Sequence, residues 1–229
     1  MKTLAIIPAR GGSKRIPGKN IRNFLGRPII SYSIDAAGRA GVFDALMVST
    51  DDQEIARIAM GYGAEVPFMR GDKCSDDYAT LADVVVEVLE NYERQRIRPE
   101  YVCCIMATAP LIDPEKIKQG FDLISARYDS VIPVVPFGYP IQRSLKIDEN
   151  DKLLMVEPRF KNTRSQDLPQ RYHDAGQFYW IKADVIKEKG TFFTDNTGAI
   201  IQDPLTVQDI DTEEDWRMAE FKYRNLYGE

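Results

Sequence analysis

The order of hydrophobic segments predicts an α/β protein with a mostly parallel, mixed sheet, helices on both faces and a small β-rich excursion. Short apolar runs recur along the chain, at residues 4–7, 45–48, 66–69, 102–106 and 131–135. Apolar runs without polar alternation are typical of strands that are buried on both faces. Segments with helical spacing lie between them, and this strand–helix order predicts a parallel sheet.

The predicted helices follow the spacing of apolar residues at intervals of about three or four positions. They cover residues 30–40, 53–62, 81–94, 114–126 and 213–227. Asp51 and Asp113 stand near two of these helix starts, where an aspartate side chain favours capping. Pro114 suits the first position of a helix. These signals place the helices between the strands, as a parallel sheet requires.

The strand–helix order breaks after Val135. Residues 136–181 contain prolines, scattered polar residues and short strand-like pieces at 144–147, 153–156 and 177–181. We therefore predict a main domain formed by residues 1–135 and 182–229, from which residues 136–181 depart as a β-rich arm. The last helix is expected to pack back on the main domain.

The composition limits the classes of function. With 229 residues, of which 44% are hydrophobic, the chain is long enough for one substantial core. The 30 basic and 35 acidic residues give a net charge of −5, which argues against a general nucleic-acid binder. Apolar windows are too short for a signal peptide or a membrane span. Cys74, Cys103 and Cys104 fit a reduced setting, the latter two as buried strand thiols, so we expect a soluble, cytoplasmic protein.

A glycine-rich basic loop follows the first predicted strand, with the sequence ARGGSKRIPGKN at residues 9–20. Glycines let the backbone approach an anion closely, and clustered cations neutralise its charge. Ligands of open α/β sheets bind just past the carboxyl ends of strands, where this loop stands. The spacing matches neither the P-loop nor the dinucleotide motif. The alternative is an ordinary solvated basic loop.

An acidic pair stands near the end of the chain. Asp209 and Asp211 are separated by one residue, and in an extended segment such residues point to the same side. Two carboxylates on one face are suited to a hard cation such as Mg²⁺. Alternatively, Asp211 caps the helix that starts near Thr212.

Together these segments resemble a known family. Residues 7–20, IPARGGSKRIPGKN, resemble the signature of the acidic-sugar cytidylyltransferases, the CMP-sialic acid synthetase family. Further matches follow in order at residues 48–52, 69–77 and 209–212, so that the resemblance covers nearly the whole chain. It implies a Rossmann-like nucleotidyltransferase fold, the substrates CTP and an acidic nine-carbon sugar, Mg²⁺ as cofactor and, as is common in the family, a homodimer.

The resemblance also implies residue roles. Arg10, Lys19, Asp209 and Asp211 would be catalytic, and the two aspartates would bind the metal. The CTP-binding residues would be Arg10, Gly11, Ser13, Lys14, Lys19, Asn20, Arg70, Ser75 and Thr80. Among these, Asn20 would reach the ribose, and Arg70 would help to recognise cytosine. The alternative for Arg70 is a surface arginine at a strand end.

The sugar is expected to meet the excursion and one residue after the fourth strand. The candidate sugar-binding residues are Thr108, Gln142, Arg143, Arg164, Gln166, Asp174, Gln177 and Tyr179. A bidentate pair between Arg143 or Arg164 and the sugar carboxylate is one expectation. A pocket shaped by Phe178, Tyr179 and Trp180 is another. The alternative is an interaction arm whose polar residues meet water or another subunit.

The segments RSQDLP and YHDAGQFYW resemble the branch of the family that activates pseudaminic acid. The expected reaction is therefore transfer of CMP from CTP to the anomeric hydroxyl of pseudaminic acid, with release of pyrophosphate. The alternatives are N-acetylneuraminate or legionaminate as the sugar, a nucleotide-binding module that has lost catalysis, and a structural protein. Ala107 stands where relatives commonly carry proline, which bears on the sugar and not on CTP.

Overall fold

A mixed sheet forms the centre of the computed structural model, which describes residues 1–13, 15–75 and 78–228. The strands of the chain, in order, are β1 (Thr3–Pro8), β2 (Asn23–Phe24), β3 (Arg27–Pro28), β4 (Ala45–Ser49), β5 (Tyr101–Ile105), β6 (Ser130–Pro136), β7 (Leu145–Ile147), β8 (Leu153–Met155), β9 (Tyr172–Asp174), β10 (Phe178–Lys182) and β11 (Thr197–Ile201). The central sheet has the order β11–β6–β10–β5–β1–β4, and β9 pairs with β6 beside it. Small two-stranded sheets are formed by β2 with β3 and by β7 with β8.

Most of the central sheet is parallel. Strand β1 pairs in parallel with β4 and β5, and β6 pairs in parallel with β11. Strand β10 runs antiparallel between β5 and β6, and β9 is antiparallel to β6. The carboxyl ends of β1, β4, β5 and β6 therefore share one edge of the sheet with the amino end of β10. This edge is where α/β proteins bind their ligands.

Helices cover both faces of the sheet. They are α1 (Ile30–Ala40), α2 (Gln53–Gly61), α3 (Leu81–Arg94), α4 (Pro114–Ala126), α5 (Ala183–Lys189) and α6 (Glu213–Tyr227). One core cluster joins α1, α2 and α4 to one face, through side chains such as Ile7 of β1. A second cluster joins α3 and α5 to the other face, through side chains such as Ile6 of β1. Because successive strand residues point to opposite faces, the continuous apolar runs supply both clusters.

The fold class predicted from the sequence is confirmed, and helices α1, α3, α4 and α6 have the predicted bounds. Asp113 caps α4, because its carboxylate accepts a hydrogen bond from the Glu115 amide at 2.9 Å. The predicted strand at residues 66–69 is wrong: these residues form no strand, and only the preceding Glu65 makes an isolated bridge, with Met47. Helix α5 and strand β11 were not predicted from the hydrophobic pattern.

The predicted arm leaves the sheet over a shorter range than 136–181. Strand β9 pairs with β6, and β10 lies at the centre of the sheet, hydrogen-bonded on both sides. The arm proper is the segment between β6 and β9, which carries the β7–β8 hairpin. Sequence order misplaced this boundary because β10 returns antiparallel, which a simple strand–helix alternation does not predict.

A smaller cluster brings the two motif-bearing segments together. Ile16 of the basic loop and Ile210, between the two aspartates, are both fully buried in it. Trp216 and Ala219 of α6 pack in the same cluster, beside Phe24. Helix α6 thus packs on the main domain, as predicted, and holds the acidic pair against the basic loop.

Two further observations concern the cysteines and membrane segments. Cys103 and Cys104 are buried in β5, and burial raises the pKa of the Cys104 thiol to about 12, so both are inert strand thiols as predicted. In the described part of the chain, no helix is both long and apolar enough to cross a membrane.

Candidate active site

A cavity of about 440 Å³, named here the basic cavity, opens beyond the carboxyl ends of β1 and β5. Its walls come from the basic loop, the segment after Arg70, the start of α3 and the segment after β5. The lining residues are Pro8, Arg10, Ser13, Arg15, Lys19, Asn20, Arg70, Cys74, Ala79, Thr80, Leu81, Val84, Met106, Ala107 and Thr108. Four of these carry a positive charge and none is acidic, which suits a polyanionic ligand.

Backbone contacts hold the basic loop at the sheet edge. The Ala9 amide donates to the Ser49 carbonyl at 2.9 Å and so continues the β1–β4 pairing into the loop. The Gly11 amide donates to the Asp51 carboxylate at 2.9 Å. Any Cβ at Gly11 would lie 2.7 Å from the Asp52 carboxylate, so the loop needs glycine at this close approach. The Asn20 side chain donates to the Arg10 carbonyl at 2.9 Å and closes the loop.

The neighbouring residues Asp51 and Asp52 have different structural roles. Asp52 caps α2, because its carboxylate accepts from the amides of Glu54 at 2.7 Å and Ile55 at 3.1 Å. Asp51, which the sequence pattern made the candidate cap, binds the Gly11 amide instead. The prediction of Asp51 as the cap is therefore wrong by one residue.

Arg70 is a buried arginine, 8% exposed, and the surface alternative is wrong. Its guanidinium donates to the Ser49 hydroxyl at 3.0 Å, to the Ser49 carbonyl, and to the Cys74 carbonyl at 3.5 Å. Burial lowers the pKa of Arg70, and the nearby charges of Asp51 and Glu87 oppose that shift. Arg70 thus ties the end of β4 to the segment that forms the outer wall of the basic cavity.

Lys19 joins the basic loop to the acidic pair. Its ammonium donates to the Ile210 carbonyl at 2.5 Å and lies 3.6 Å from the Asp211 carboxylate. The side chain is only 18% exposed, so this charge is poorly screened by solvent. Arg15, on the same loop, pairs with Asp211 at 2.6 Å from a more exposed position.

A second cavity of about 490 Å³, named here the acidic cavity, lies on the other side of these contacts. It is formed by the end of β6, strand β9, the segment before α6, and α6 itself. The lining residues are Val135, Pro136, Gly138, His173, Asp174, Ala175, Pro204, Val207, Gln208, Asp209, Asp211, Asp215 and Lys222. The two cavities are connected through the pairing of Arg15 and Lys19 with Asp211.

The residue that caps α6 is Thr212, so the capping alternative for Asp211 is wrong. Thr212 and Asp215 form a reciprocal capping box, in which the Asp215 amide donates to the Thr212 hydroxyl at 3.2 Å. The Asp215 carboxylate also accepts the Asp211 amide at 3.1 Å, which fixes the Asp211 backbone at the start of α6. Asp211 therefore keeps its carboxylate for the contacts with Arg15 and Lys19.

The chemistry of the acidic pair fits a hard cation. Burial and the negative charge of Asp211 raise the pKa of Asp209, so the two carboxylates repel each other. A divalent cation bound between oxygen ligands would relieve that repulsion. Among the described residues, no group of three or more His, Cys, Asp or Glu side chains is arranged around a metal position. Asp209 and Asp211 would therefore need phosphate oxygens or water to complete a coordination shell.

Comparisons with known proteins identify the family of this chain. A family model described as cytidylyltransferase matches residues 4–201 of the chain. The chain belongs to the cytidylyltransferase family. The pseudaminic acid cytidylyltransferase of Campylobacter jejuni is 42% identical over 225 residues, which are 98% of this chain and 97% of that protein. The family and the full-length identity make this chain an enzyme, a cytidylyltransferase.

Two further similarities place the chain among related proteins. The CMP-N,N'-diacetyllegionaminic acid synthase of Legionella pneumophila is 31% identical over 227 residues, which are 96% of this chain and 95% of that protein. Among solved structures, CMP:2-keto-3-deoxy-manno-octonic acid synthetase complexed with CTP matches with a TM-score of 0.70 at 16% identity. The match covers 99% of this chain and all of that one, and it shows the shared fold.

The predicted CTP-binding residues of this cytidylyltransferase largely meet at one place. Arg10, Ser13, Lys19, Asn20, Arg70 and Thr80 all line the basic cavity, as does the predicted sugar-binding Thr108. The hydroxyl of Thr80 is engaged in capping α3 with Asp83, so its contribution to the cavity wall is structural. Ser75 does not line the cavity and donates to the Gly71 carbonyl at 3.0 Å. Lys14 lies outside the described residues, as do Asp76 and Asp77 of the family motif.

The predicted sugar-binding residues are more dispersed. Arg143, Arg164 and Gln166 are exposed on the arm. Arg164 pairs with Asp167 at 2.8 Å, and Arg143 contacts the Ser165 hydroxyl at 3.4 Å. Neither arginine lines the basic or the acidic cavity within this chain. Their role at the sugar remains a prediction.

Asp174 alone among the predicted excursion residues lines the acidic cavity. Its carboxylate accepts the Tyr179 hydroxyl at 2.7 Å and the Gly176 amide at 2.8 Å. Burial raises the pKa of Tyr179, which acts as a fixed donor that orients Asp174. Phe178 and Trp180 are fully buried in the core, with Trp180 donating to the Ile117 carbonyl. The predicted aromatic pocket is therefore wrong, because alternate residues of β10 face the two cores.

Two buried glutamines differ in how many of their side-chain polar groups form hydrogen bonds. Gln177, 2% exposed, donates to the Thr206 carbonyl at 2.7 Å and accepts from Gln202 at 2.8 Å. These contacts replace the predicted bond to a sugar amide. Gln142, 3% exposed, donates to the Pro169 carbonyl at 2.7 Å, while its own side-chain carbonyl oxygen is buried and has no hydrogen-bond partner among the described residues. The side-chain carbonyl oxygen of Gln142, at the base of the arm, could therefore accept one further hydrogen bond.

Lys222, His173 and Asp215 line the acidic cavity but were not predicted from the sequence. Lys222 lies seven residues after Asp215, and this spacing puts both on one side of a helix. That spacing was the available signal for Lys222. It was weak because lysines on the exposed side of a terminal helix are common.

Proposed function

We propose that this cytidylyltransferase transfers CMP from CTP to the anomeric hydroxyl of pseudaminic acid and releases pyrophosphate. Two observations support this choice of sugar. The relative from Campylobacter jejuni that carries this activity in its name aligns with nearly the whole chain at 42% identity. The segments RSQDLP and YHDAGQFYW resemble the same branch.

The observation that carries the reaction type is the junction of the two cavities at Lys19. On one side, the cationic basic cavity suits a triphosphate, with Arg10, Ser13 and Lys19 placed to hold its oxygens. On the other side, the acidic cavity suits a polar sugar. A sugar hydroxyl at the junction would meet the α-phosphate there. Such a transfer needs alignment and charge neutralisation more than covalent participation of the protein.

We also propose Mg²⁺ as the cofactor, held by Asp209 and Asp211. A bound Mg²⁺ supplies positive charge to the phosphate oxygens and acidifies a nearby hydroxyl. The protein contributes a fixed Asp211 backbone, beside the Thr212–Asp215 capping box, and a lysine that bridges from Asp211 to the phosphate side. Lys19 would then neutralise charge that develops on the phosphates, from a position that solvent screens poorly.

The test is pyrophosphate release from CTP with a panel of purified nonulosonic acids. Pseudaminic acid should be turned over, and N-acetylneuraminic acid should react at a kcat/KM lower by a factor on the order of 10⁴, because a site built for one pattern of polar groups rejects analogues that leave its own groups unpaired. ATP, GTP and UTP serve as nucleotide controls. Comparable kcat/KM values for the two sugars would contradict the choice of pseudaminic acid and leave the cytidylyltransferase assignment intact.

Legionaminic acid is the second candidate sugar. The synthase from Legionella pneumophila aligns over nearly the full length of this chain, although at 31% identity. A diacetylated legionaminic acid in the same panel decides between the two. If the enzyme preferred the diacetylated legionaminic acid to pseudaminic acid, legionaminic acid would replace pseudaminic acid as the proposed substrate.

A homodimer is the proposed assembly. The β7–β8 hairpin of the arm exposes a group of apolar side chains that no described part of the chain covers: Leu145, Ile147, Leu153, Leu154 and Val156. Exposed apolar patches of this kind are typical of association surfaces. Light scattering should give twice the mass of the chain, and Ile147→Asp should produce a monomer. A monomeric wild-type enzyme at micromolar concentration would contradict the proposal.

The proposed compartment is the cytoplasm, where CTP is available. Free cysteines support it: Cys74, Cys103 and Cys104 form no disulfide. Reduced thiols are usual in that compartment. Fractionation of the producing cell should recover the protein with other cytoplasmic enzymes, and recovery from the cell exterior would contradict this proposal.

A further inference from the structure

The ammonium of Lys222 is held at the wall of the acidic cavity by backbone groups. It donates to the Val207 carbonyl at 2.6 Å and to the Pro204 carbonyl at 3.0 Å. Among the ion pairs of the described residues, none includes Lys222. Burial lowers its pKa, and the charge of Asp203 opposes that shift. Lys222 is thus a half-buried cation that forms no close ion pair with a carboxylate of the described residues.

Among the described residues, one of the three N–H donors of the Lys222 ammonium has no acceptor. An ammonium carries three N–H groups, and the carbonyls of Val207 and Pro204 take two of them. Because Lys222 lines the acidic cavity, the third N–H is placed to meet a ligand there. A desolvated ammonium with one open donor is suited to a carboxylate.

Three of the four aspartates that line this cavity are already engaged. Asp174 accepts from Tyr179 and Gly176, Asp215 belongs to the cap of α6, and Asp211 pairs with Arg15 and Lys19. Their negative charge is therefore partly compensated by donors on the protein. Of the lysines and arginines described, Lys222 alone lines this cavity.

The chemistry of the proposed substrate sets where its carboxylate must lie. In a nonulosonic acid, the carboxylate and the anomeric hydroxyl are attached to the same carbon. The group that binds the carboxylate must then lie near the acidic pair, where the hydroxyl reacts. Lys222 meets this condition, because the Val207 carbonyl that it binds is two residues before Asp209.

We propose that Lys222 binds the carboxylate of the acidic sugar and so selects acidic over neutral sugars. The proposal rests on the function proposed above. It gives the cytidylyltransferase a sugar-recognition residue on α6, outside the arm. Arg143 and Arg164, the carboxylate partners expected from the sequence, lie exposed on the arm, and Arg164 is already paired with Asp167.

A structural role is the competing explanation. By binding two carbonyls, Lys222 could merely fix the segment 204–207 and so position Asp209. In that case its loss would raise the Mg²⁺ requirement and lower turnover of every sugar alike. A binding role predicts instead an effect that depends on the charge of the sugar.

The experiment combines enzyme variants with two substrates. Lys222→Met, Lys222→Gln and Lys222→Arg are assayed with the sugar acid and with its C1 carboxamide, which keeps the anomeric hydroxyl but lacks the charge. For the acid, KM should rise by about 10- to 100-fold in Lys222→Met and Lys222→Gln, the range for a lost charged hydrogen bond. For the carboxamide, wild type and both variants should agree. The KM for CTP and the Mg²⁺ requirement should stay unchanged.

Controls separate the possible failures. Lys222→Arg should retain part of the preference for the acid, because it keeps the charge. Lys187, on the remote helix α5, is a partly buried lysine that pairs with Glu93 of α3, and Lys187→Met should behave as wild type. Equal losses for acid and carboxamide, or a raised Mg²⁺ requirement, would overturn the proposal in favour of the structural role. Absence of wild-type turnover with every nonulosonic acid would instead overturn the proposed function.

Discussion

The two cavities of this cytidylyltransferase are built in different ways. The basic cavity takes its charged residues from a continuous loop after β1, and backbone hydrogen bonds to the sheet edge fix that loop. The acidic cavity is assembled from β6, β9 and the segment leading into α6, which are far apart in the sequence. Within its acidic pair, the Asp211 backbone is fixed beside a helix cap, and the Asp211 carboxylate contacts a lysine and an arginine.

The two cavities are therefore suited to different tasks. The basic cavity suits phosphate chemistry that is common to many sugar acceptors, and the acidic cavity suits recognition of one sugar. A loop at the carboxyl ends of parallel strands is a rigid platform for phosphates, and it can serve any acceptor. Groups contributed by separate segments can change independently, which suits the choice of a sugar. Substitutions in the basic cavity should therefore affect CTP use with every sugar, and substitutions in the acidic cavity should affect metal or sugar use.

The largest effect is expected for Lys19→Ala. Lys19 is the poorly solvated cation that joins the two cavities, and removing a preorganised charge from such a site typically lowers kcat by about 10²- to 10³-fold. Steady-state pyrophosphate release with each accepted sugar measures the effect, which should be equal for all of them. Lys118→Ala, on the exposed side of α4, is the matched control. Wild-type turnover by Lys19→Ala would contradict the catalytic role of the junction.

A smaller effect, limited to the Mg²⁺ concentration that the enzyme requires, is expected for substitutions of the acidic pair. Asp209→Asn and Asp211→Asn should each raise the Mg²⁺ concentration for half-maximal activity by roughly 100-fold, since loss of even a supporting group at a metal site costs about 10- to 100-fold. Mg²⁺ titrations at saturating CTP measure this, with Asp195→Asn on the exposed surface as the control. Unchanged Mg²⁺ dependence in both variants would remove these residues from the metal site.

Because the pKa of Asp209 is raised, the stability of the protein should depend on pH in a way that Asp209→Asn removes. A carboxyl with a raised pKa in the folded state lowers the free energy of unfolding at neutral pH, and that cost disappears below the pKa of the unfolded chain. Without metal, Asp209→Asn should therefore melt at a higher temperature than wild type at neutral pH. The difference should vanish as the pH falls below the ordinary aspartate range. A lower melting temperature for the variant at neutral pH would contradict the repulsion described here.

The next effect distinguishes the two buried glutamines. Gln177→Leu leaves the Thr206 carbonyl and the Gln202 amide without their partner, which costs about 1–3 kcal/mol of unfolding free energy. Gln142→Leu loses one hydrogen bond but also removes a buried orphan oxygen, so its stability should change less. Denaturant unfolding compares them, and a raised KM for the sugar in Gln142→Leu alone would assign the orphan oxygen to the substrate.

The sequence predicted the basic cavity better than the acidic one, for a physical reason. The basic loop is one continuous segment after a strand, and its position at the sheet edge follows from the topology alone. The acidic pair was recognised as a motif, but its neighbours were not. Lys222 and His173 line the same cavity although α6 and β9 are far apart in the sequence. No local sequence pattern indicates that these two elements meet in the fold.

Strand β10 shows the same limit within the fold. The sequence predicts these residues to be part of a sugar-binding arm because they follow a polar, proline-containing segment. They lie instead at the centre of the sheet, where Phe178 and Trp180 face one core and Tyr179 faces the other. An antiparallel strand inserted between parallel ones depends on long-range pairing, so composition near the strand is a poor guide to it.

The smallest expected effect tests the division of tasks between Asp51 and Asp52. Asp52→Ala removes the cap of α2 and should cost about 1 kcal/mol, a fall of roughly 2–4 °C in melting temperature, with the KM for CTP nearly unchanged. Asp51→Ala removes the acceptor of the Gly11 amide, so it should raise the KM for CTP with little change in stability. The two variants remove the same group at adjacent positions and so control for each other. If Asp52→Ala affected CTP and Asp51→Ala affected stability, the basic loop would not be held in the way described here, and the contrast between the two cavities would lose its structural basis.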